Sequence, residues 1–274
     1  MISGFTECIF CKKNAENLTD EHIIPYAMNG TAVLRRATCE SCARITGRFE
    51  HELFREYWLS NRVNLGMKSR KKKTQPKTVR LPLQSDKARL VEIPVDEVPL
   101  PTLMLPNWPA PGILRGLPST TEYQMTLDHQ FYYDIAAMAK LQNTRGVSNR
   151  HRFRDQTFAR VIAKIAYTDC ISKYGIQHYT PFLSDFILSQ QVRHDYKHYI
   201  GGTDLSRERL FPEPSPQHMF SCAITTIPEM HEDCVYAVSY LNFFSGYGTP
   251  VYAVVSGKFD GIPLISGATP NARK

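Results

Sequence analysis

Four cysteines near the start of the chain have the spacing of metal ligands. Cys8 and Cys11 form one CxxC pair, and Cys39 and Cys42 form a second. Two such pairs can close one tetrahedral zinc site, because each pair supplies two sulfurs from a single tight turn. The sequence therefore predicts a structural Zn²⁺ ion that fixes the fold of the chain between the two pairs.

An acidic residue and a histidine lie side by side between these cysteine pairs. Glu21 and His22 belong to the stretch Leu-Thr-Asp-Glu-His-Ile-Ile-Pro, which ends at Pro25. A carboxylate can hold a hard divalent cation, and a neutral imidazole can take a proton from water. The pair is thus equipped for metal-assisted hydrolysis. Neighbouring residues of a strand point to opposite faces, so both can serve one site only if the strand is locally twisted.

The order of these motifs resembles that of the HNH nucleases, the ββα-metal endonucleases, in the version that carries two CxxC pairs. The shared pattern continues from the Glu-His-Ile-Ile-Pro stretch through an Asn29-Gly30 turn to the second cysteine pair and a helical run. The resemblance ends near Arg55. It implies an endonuclease that hydrolyses phosphodiester bonds in DNA, with RNA as an open alternative. It further implies that His22 is the general base and that Glu21 helps to hold a catalytic Mg²⁺ or Mn²⁺ ion.

One position departs from the family pattern. Many HNH nucleases carry Asn or His directly after the last cysteine as a further metal ligand, whereas this chain has Ala43. Glu50 lies two turns further along the same helical face and is the predicted substitute ligand. His51 is the alternative, although it points about 100° further round the helix. If neither side chain reaches the cation, the module binds nucleic acid without cutting it.

The net positive charge is confined to the first part of the chain. Residues 1–80 contain 15 Lys and Arg against 8 Asp and Glu, whereas residues 81–274 contain 18 of each. This asymmetry indicates that the N-terminal part meets a polyanion, and a solvated basic tail is the alternative. The predicted nucleic-acid-binding side chains are those of the helix and of the basic run that follows it, namely Arg44, Arg48, Arg70, Lys71, Lys72 and Lys73.

The predicted fold is α+β, with an N-terminal zinc-stapled ββα-metal module followed by a larger α+β domain of helices and an antiparallel sheet. Two strands form a ribbon on either side of the Asn29-Gly30 turn, and a helix begins at Glu40. Apolar spacing further predicts helices over Phe131–Leu141 and Phe158–Tyr174. Segments rich in Val, Ile, Tyr and Phe predict strands between residues 219 and 259.

Composition divides the chain into three parts. Residues 1–60 form the nuclease-like module, residues 61–120 a basic and proline-rich connector, and residues 121–274 an α+β domain. The role of this last part is open between recognition, control and oligomerisation. A nuclease attached to such a part would suit a bacterial or phage defence system, and double-strand cutting would call for a homodimer.

No targeting or membrane signal is evident in the sequence. No apolar run approaches the roughly 20 residues that a membrane helix needs, and the N-terminus lacks the basic start and apolar core of a signal peptide. A cytoplasmic location is therefore expected. In a reducing compartment, the three remaining cysteines are expected to be buried apolar residues rather than disulfide partners: Cys170, Cys222 and Cys234.

Overall fold

The structure is a computed structural model of the chain. It describes residues 5–69, 77–83, 89–94, 103–119, 129–132, 154–177, 179–191, 193–211, 222–231 and 234–260. Within these ranges helices are combined with antiparallel sheets: one sheet of five strands and three of two strands. The α+β fold class, with a small N-terminal module ahead of a larger strand-rich part, is thus confirmed.

A two-stranded ribbon opens the module. Strands β1 (Thr19–His22) and β2 (Val33–Thr38) are antiparallel, and their pairing is irregular between Thr19 and Glu21. The predicted turn between them is confirmed, since Asn29 adopts a left-handed conformation with φ of 64°. A Cβ atom at Gly30 would lie 1.8 Å from the carbonyl oxygen of Ile24, so only glycine fits the return of the chain.

A broken helical segment follows the second cysteine pair. Helix α1 (Glu40–Glu52) runs into a π-helical turn over Leu53–Tyr57, and α2 (Leu59–Asn64) continues from it. The turn buries Leu53 and Phe54.

The guanidinium of Arg62 fastens this helical segment to the ribbon. It donates to the carbonyl oxygens of Ala27 at 2.7 Å, Phe54 at 2.8 Å and Lys68 at 2.7 Å. Burial lowers the pKa of Arg62 to about 10. A buried guanidinium thus holds three separate parts of the module in place, because each of these carbonyls would otherwise lack a donor.

Two hairpins lie in the middle of the chain. Strand β3 (Thr78–Leu83) pairs with β4 (Arg89–Pro94), and β5 (Leu103–Pro106) pairs with β6 (His129–Tyr132). The helix predicted to begin at Phe131 is therefore wrong at its start, because Phe131 and Tyr132 pair in β6 with residues of β5. Aromatic residues suit a pleated strand, and a short apolar run does not distinguish the two structures. The rest of that predicted helix, residues 133–141, lies outside the described residues.

Five antiparallel strands form the main sheet. Its order is β7-β11-β10-β9, and β8 pairs with β11 on the same side as β7. The predicted strands between residues 219 and 259 are thereby confirmed. The strands are β7 (Tyr179–Pro181), β8 (Ile200–Gly202), β9 (Cys222–His231), β10 (Cys234–Phe243) and β11 (Val251–Phe259).

Helix α3 (Asp155–Tyr174) lies at the centre of the molecule and confirms the second predicted helix. Every residue from Phe158 to Ile171 is buried except Arg160. A helix that is buried on all sides must be enclosed by neighbours. Its neighbours are α1 on one side and the sheet on the other. The short helix α4 (Ser184–Leu188) packs against α3 and α1, and the short helix α5 (Arg207–Leu210) packs Leu210 against an apolar cluster of the sheet.

One continuous apolar core joins the module to the sheet. It contains Ile9 and Phe10 of the module together with residues of α3 and of the sheet. Residues 103–119, one of the described parts of the predicted connector, also pack here: the Trp108 ring contacts Phe158 and Tyr252, with centroids 5.6 Å away in each case. The proline-rich segment therefore covers the core along this stretch.

Candidate functional site

The four predicted zinc ligands lie together at the end of the ribbon. The sulfur atoms of Cys8, Cys11, Cys39 and Cys42 all lie within 4.8 Å of one another, and those of Cys11 and Cys39 are 3.8 Å apart. Tetrahedral zinc with Zn–S bonds of about 2.3 Å requires sulfurs about 3.8 Å apart. The donor set and its spacing fit a structural zinc ion, which these thiolates would hold as a closed site.

Electrostatics distinguish the individual thiols of this cluster. Burial raises the pKa of Cys42 well above its ordinary value. Burial also acts to raise the pKa of Cys39, but hydrogen bonds from Ser41 and from the backbone of Cys42 outweigh it and lower the value to about 6. The hydrogen bonds from Ser41 and from the backbone thus favour the thiolate form of Cys39, which is the form that binds a metal ion.

An open cleft of about 350 Å³ lies between the ribbon and helix α1. Glu21 and His22 both line this cleft, although they are adjacent on β1 and pair in regular register with Leu34 and Val33. Glu50 and His51 line it from the helix, together with Ala43. The structure thus brings together all the side chains that the sequence singled out for catalysis and for the catalytic cation.

His22 lies at the end of β1 and is partly exposed to this cleft. Its ring meets the Tyr26 ring edge-on, with centroids 5.9 Å apart. Its backbone carbonyl accepts a hydrogen bond from the ammonium of Lys164, which reaches over from α3. The hydrogen bond from Lys164 therefore fixes the backbone that carries the imidazole of His22.

Glu21 is engaged by the protein through both of its carboxylate oxygens. Oε1 lies 2.7 Å from Nζ of Lys164, and Oε2 accepts a hydrogen bond of 3.0 Å from the hydroxyl of Thr38. The residue is 7% exposed. The Glu21 carboxylate thus faces the interior more than the cleft.

Glu50 and His51 are the acidic and imidazole groups that helix α1 presents to the cleft. Glu50 keeps 23% of its side-chain surface exposed, and its Oε1 lies 2.9 Å from Nζ of Lys164. His51 is exposed. A carboxylate oxygen and an imidazole nitrogen are both ligand types that divalent cations accept.

Cationic side chains surround the rest of the cleft. Arg55 and Lys68 line it beside the buried Arg62, and Asp20 is the remaining acidic residue. A backbone hydrogen bond from Arg36 and the side chain of Arg35 lower the pKa of Asp20. The charge of the cleft lining is mixed, with three acidic residues against Arg55, Arg62 and Lys68, and the cationic groups of Arg55 and Lys68 are the ones that suit an anionic substrate.

The predicted nucleic-acid-binding residues are only partly within the described chain. Arg44 and Arg48 are exposed on α1, and Arg44 forms an ion pair of 2.9 Å with Glu40. Arg48 lies outside the cleft and lines a second cavity, between α1 and α3. The basic run Arg70, Lys71, Lys72 and Lys73 lies outside the described residues.

Arg55 and Lys68 of the cleft were not predicted as site residues, and neither was the buried Lys164, which contacts Glu21 and Glu50. Lys164 did carry a signal, because it occupies a helical pattern in which Val161, Ile162 and Ile165 are apolar. A lone lysine on such a face must find a counter-charge. Nothing in the sequence indicates that its partners lie more than a hundred residues away, in the module.

Comparison with known proteins assigns the module to a family. The model of the HNH endonuclease family matches residues 8–59. The resemblance read from the sequence is thereby confirmed for this module, and it supports a nuclease-type function that acts on nucleic acid. No curated protein and no solved structure matches the chain significantly. Within the described residues, no helix has the length and apolarity needed to cross a membrane.

Proposed function

We propose that the cleft hydrolyses phosphodiester bonds in DNA, with His22 as the general base. The observation that carries the proposal is the position of His22 in an open cleft whose other walls include Arg55 and Lys68. In the HNH module, matched over residues 8–59, this is the histidine of the Glu-His-Ile-Ile-Pro stretch. The identification rests on the residue and its surroundings together.

The reaction needs a base and a positive environment. The oxygen of a water molecule attacks phosphorus, its proton passes to the imidazole of His22, and the bond from phosphorus to the leaving sugar oxygen breaks. Arg55 and Lys68 stabilise the negative charge that develops on the phosphate, since cations already in position need no rearrangement as that charge forms.

A divalent cation, Mg²⁺ or Mn²⁺, is part of this proposal. Glu50 and His51 would hold it, with Glu21 held back by Lys164 and Thr38. When bound, the ion supplies charge stabilisation for the phosphate and the leaving oxygen. Zinc at the four cysteines is proposed to be structural, because a site closed by four thiolates leaves no position for water.

The remaining parts of the chain are given roles that follow from charge and packing. Residues 1–60 form the nuclease module, and Arg44, Arg48 and the basic run of residues 70–73 contact the DNA backbone. Residues 61–120 connect the module to residues 121–274, which control or direct it. Support for a control role comes from α3, because Lys164 of that helix contacts both Glu21 and Glu50 of the cleft.

A second candidate function is nucleic-acid binding without cleavage. Ala43 favours it, because this residue lines the cleft at the position where the family resemblance implies a metal ligand. The cationic side chains of the cleft would serve this function equally well. The two candidates differ in whether His22 is needed for turnover.

The deciding experiment is the incubation of supercoiled plasmid with the zinc-loaded protein and Mg²⁺ or Mn²⁺. One site per chain cuts one strand, so the relaxed circle should appear before the linear form. Loss of a general base typically costs about 10²–10⁴ in rate, so we expect His22→Ala to lose that factor and still bind DNA. His194→Ala is the matched control, because His194 is exposed and lies outside the cleft. Equal cleavage by His22→Ala and by the control would refute the assignment.

A further inference from the structure

The ammonium of Lys164 is coordinated as a cation inside the candidate active site. The side chain is fully buried, and its Nζ lies 2.7 Å from Glu21 Oε1 and 2.9 Å from Glu50 Oε1. It also donates to the backbone carbonyl of His22. The three oxygen atoms around Nζ are thus one hydrogen-bond acceptor, the His22 carbonyl, and two ion-pair partners, the carboxylates of Glu21 and Glu50.

The charge state of this group is stabilised by its partners. Burial acts to lower the pKa of Lys164, but the carboxylates of Glu21 and Glu50 outweigh burial and raise it above the ordinary value of a lysine. Two carboxylates at ion-pair distance favour the ammonium form of this side chain. Two carboxylates from the module and one cation from α3 form a closed group, which we call the lysine triad: Glu21, Glu50 and Lys164.

A divalent cation and the ammonium of Lys164 would compete for the same two carboxylate oxygens, Glu21 Oε1 and Glu50 Oε1. Mg²⁺ binds its oxygen ligands at about 2.0–2.1 Å, so an ion bonded to the same two oxygens would have to take the place of the ammonium. The second oxygen of Glu21 accepts the hydrogen bond from Thr38, and the residue is only 7% exposed, so this oxygen is directed into the protein. The acidic pair can thus hold either the ammonium or a divalent ion between its members.

We propose that Lys164 is the resident cation of the Glu21–Glu50 pair and a positioning residue of the cleft. It keeps a divalent ion from binding between these two carboxylates, and it fixes the backbone of His22. This role of Lys164 rests on the proposed function, because it presupposes that the cleft is a nuclease active site. A divalent ion that serves the reaction then binds on the cleft side, at Glu50 and His51, and Glu21 acts as a partner of Lys164.

The test measures the binding of Mn²⁺ to the zinc-loaded full-length chain in the absence of DNA. The electron paramagnetic resonance signal of unbound Mn²⁺ reports how much of the ion remains free. Lys164→Met keeps the length of the side chain and removes the charge. We expect it to bind Mn²⁺ at least about tenfold more tightly than the wild type, since changes around ligands commonly alter metal affinity about 10–100-fold. The double variant Lys164→Met/Glu21→Gln should return towards the wild-type affinity.

Lys173→Met is the matched control. Lys173 lies on the same helix and forms an ion pair of 2.7 Å with Asp169, away from the cleft. Its replacement should leave Mn²⁺ affinity unchanged. Affinity that is unchanged or weaker in Lys164→Met would overturn the proposal, because a salt bridge that only stabilises the fold would free no ligands for a cation.

A second measurement applies even if Lys164→Met does not fold. Glu21→Gln in the otherwise native chain should change Mn²⁺ affinity by less than about tenfold, whereas loss of a true ligand costs about tenfold or more. A loss of that size would place the ion on Glu21 and refute the proposal. Because no DNA is present, these results are independent of cleavage: cleavage that persists in His22→Ala would end the proposed function and leave the Mn²⁺ result standing.

Discussion

The N-terminal module and the main sheet are each stabilised by a different kind of interaction. In the sheet, β10 and β11 pair along nearly their whole length and bury almost every residue from Ala237 to Phe259 that lies in a strand. The module has a ribbon of two short strands. It depends on four clustered thiols, on the buried guanidinium of Arg62 and on hydrogen bonds from α3.

This difference shows how a small module can carry a polar cleft. A module of this size has a small apolar core of its own, and small cores contribute little stability alone. Metal ligation and polar interactions with a neighbouring helix make up the deficit. Those same interactions reach the cleft residues, so the groups that stabilise the module also position its site.

Removal of the metal should break the comparison most strongly. Structural zinc in small modules has an apparent binding free energy of about 10–16 kcal/mol, and this energy is also folding energy. Cys42→Ser should therefore unfold the module and release zinc, as measured by metal analysis and circular dichroism. Cys234→Ser is the control, because Cys234 lies in β10 and outside the cluster. Zinc content below about half an equivalent per chain in the wild type would contradict the closed site.

A buried tryptophan provides the next largest effect and tests whether the two regions unfold together. Trp58 is 1% exposed and contacts Phe158 of α3, with ring centroids 5.9 Å apart, and Phe244 beside the sheet, at 5.1 Å. Replacement of a buried aromatic residue by alanine costs about 3–5 kcal/mol, so Trp58→Ala should lower the free energy of unfolding by that amount. The measurement is urea unfolding followed by circular dichroism.

The same experiment separates one cooperative unit from two. Leu205→Ala is the surface control, because Leu205 is 36% exposed and such changes usually stay within about 0.5 kcal/mol. If residues 121–274 formed an independent domain, the sheet would unfold at an unchanged midpoint in Trp58→Ala. The shared core leads us to expect one transition that shifts as a whole.

Removal of positive charge from the basic run should have the smallest effect on stability. It instead tests whether the two regions differ in DNA binding. Replacement of Lys71, Lys72 and Lys73 by alanine should reduce the slope of log affinity for DNA against log salt by roughly 0.9 for each phosphate that is no longer neutralised. Fluorescence anisotropy over a series of salt concentrations measures this slope. Lys258→Ala is the control from the neutral part of the chain, since Lys258 pairs with Asp260 at the surface. An equal slope in both variants would remove the basic run from the interface.

Local patterns were sufficient to predict the module and most regular elements. The cysteine spacing predicted the cluster, Asn29-Gly30 predicted the turn, and apolar spacing predicted α3 and the late strands. These features depend on neighbours in sequence, through turn chemistry, metal-ligand spacing and periodic burial. The prediction at Phe131 was wrong because the choice between helix and strand there depends on β5, which lies far away in the sequence.

The candidate site was predictable up to the point at which distant segments meet. Glu21, His22 and Glu50 could be singled out because motif and helical spacing bring them together. The partner of Glu21 could not, because Lys164 is brought there by the packing of α3 against the module. A polar group that is placed by tertiary packing leaves in the sequence only an unexplained charge on an apolar face.

The position of α3 has a consequence for recombination between related chains. The module depends on two segments that contact each other, residues 8–69 and the helix Asp155–Tyr174, although these segments are far apart in the sequence. A crossover between them would combine one parent's acidic residues with another parent's helix, and Tyr167 and Lys164 would meet carbonyls and carboxylates they had not evolved with. Chimeras that take the helix and the module from the same parent should therefore fold best, because they keep these contacts intact.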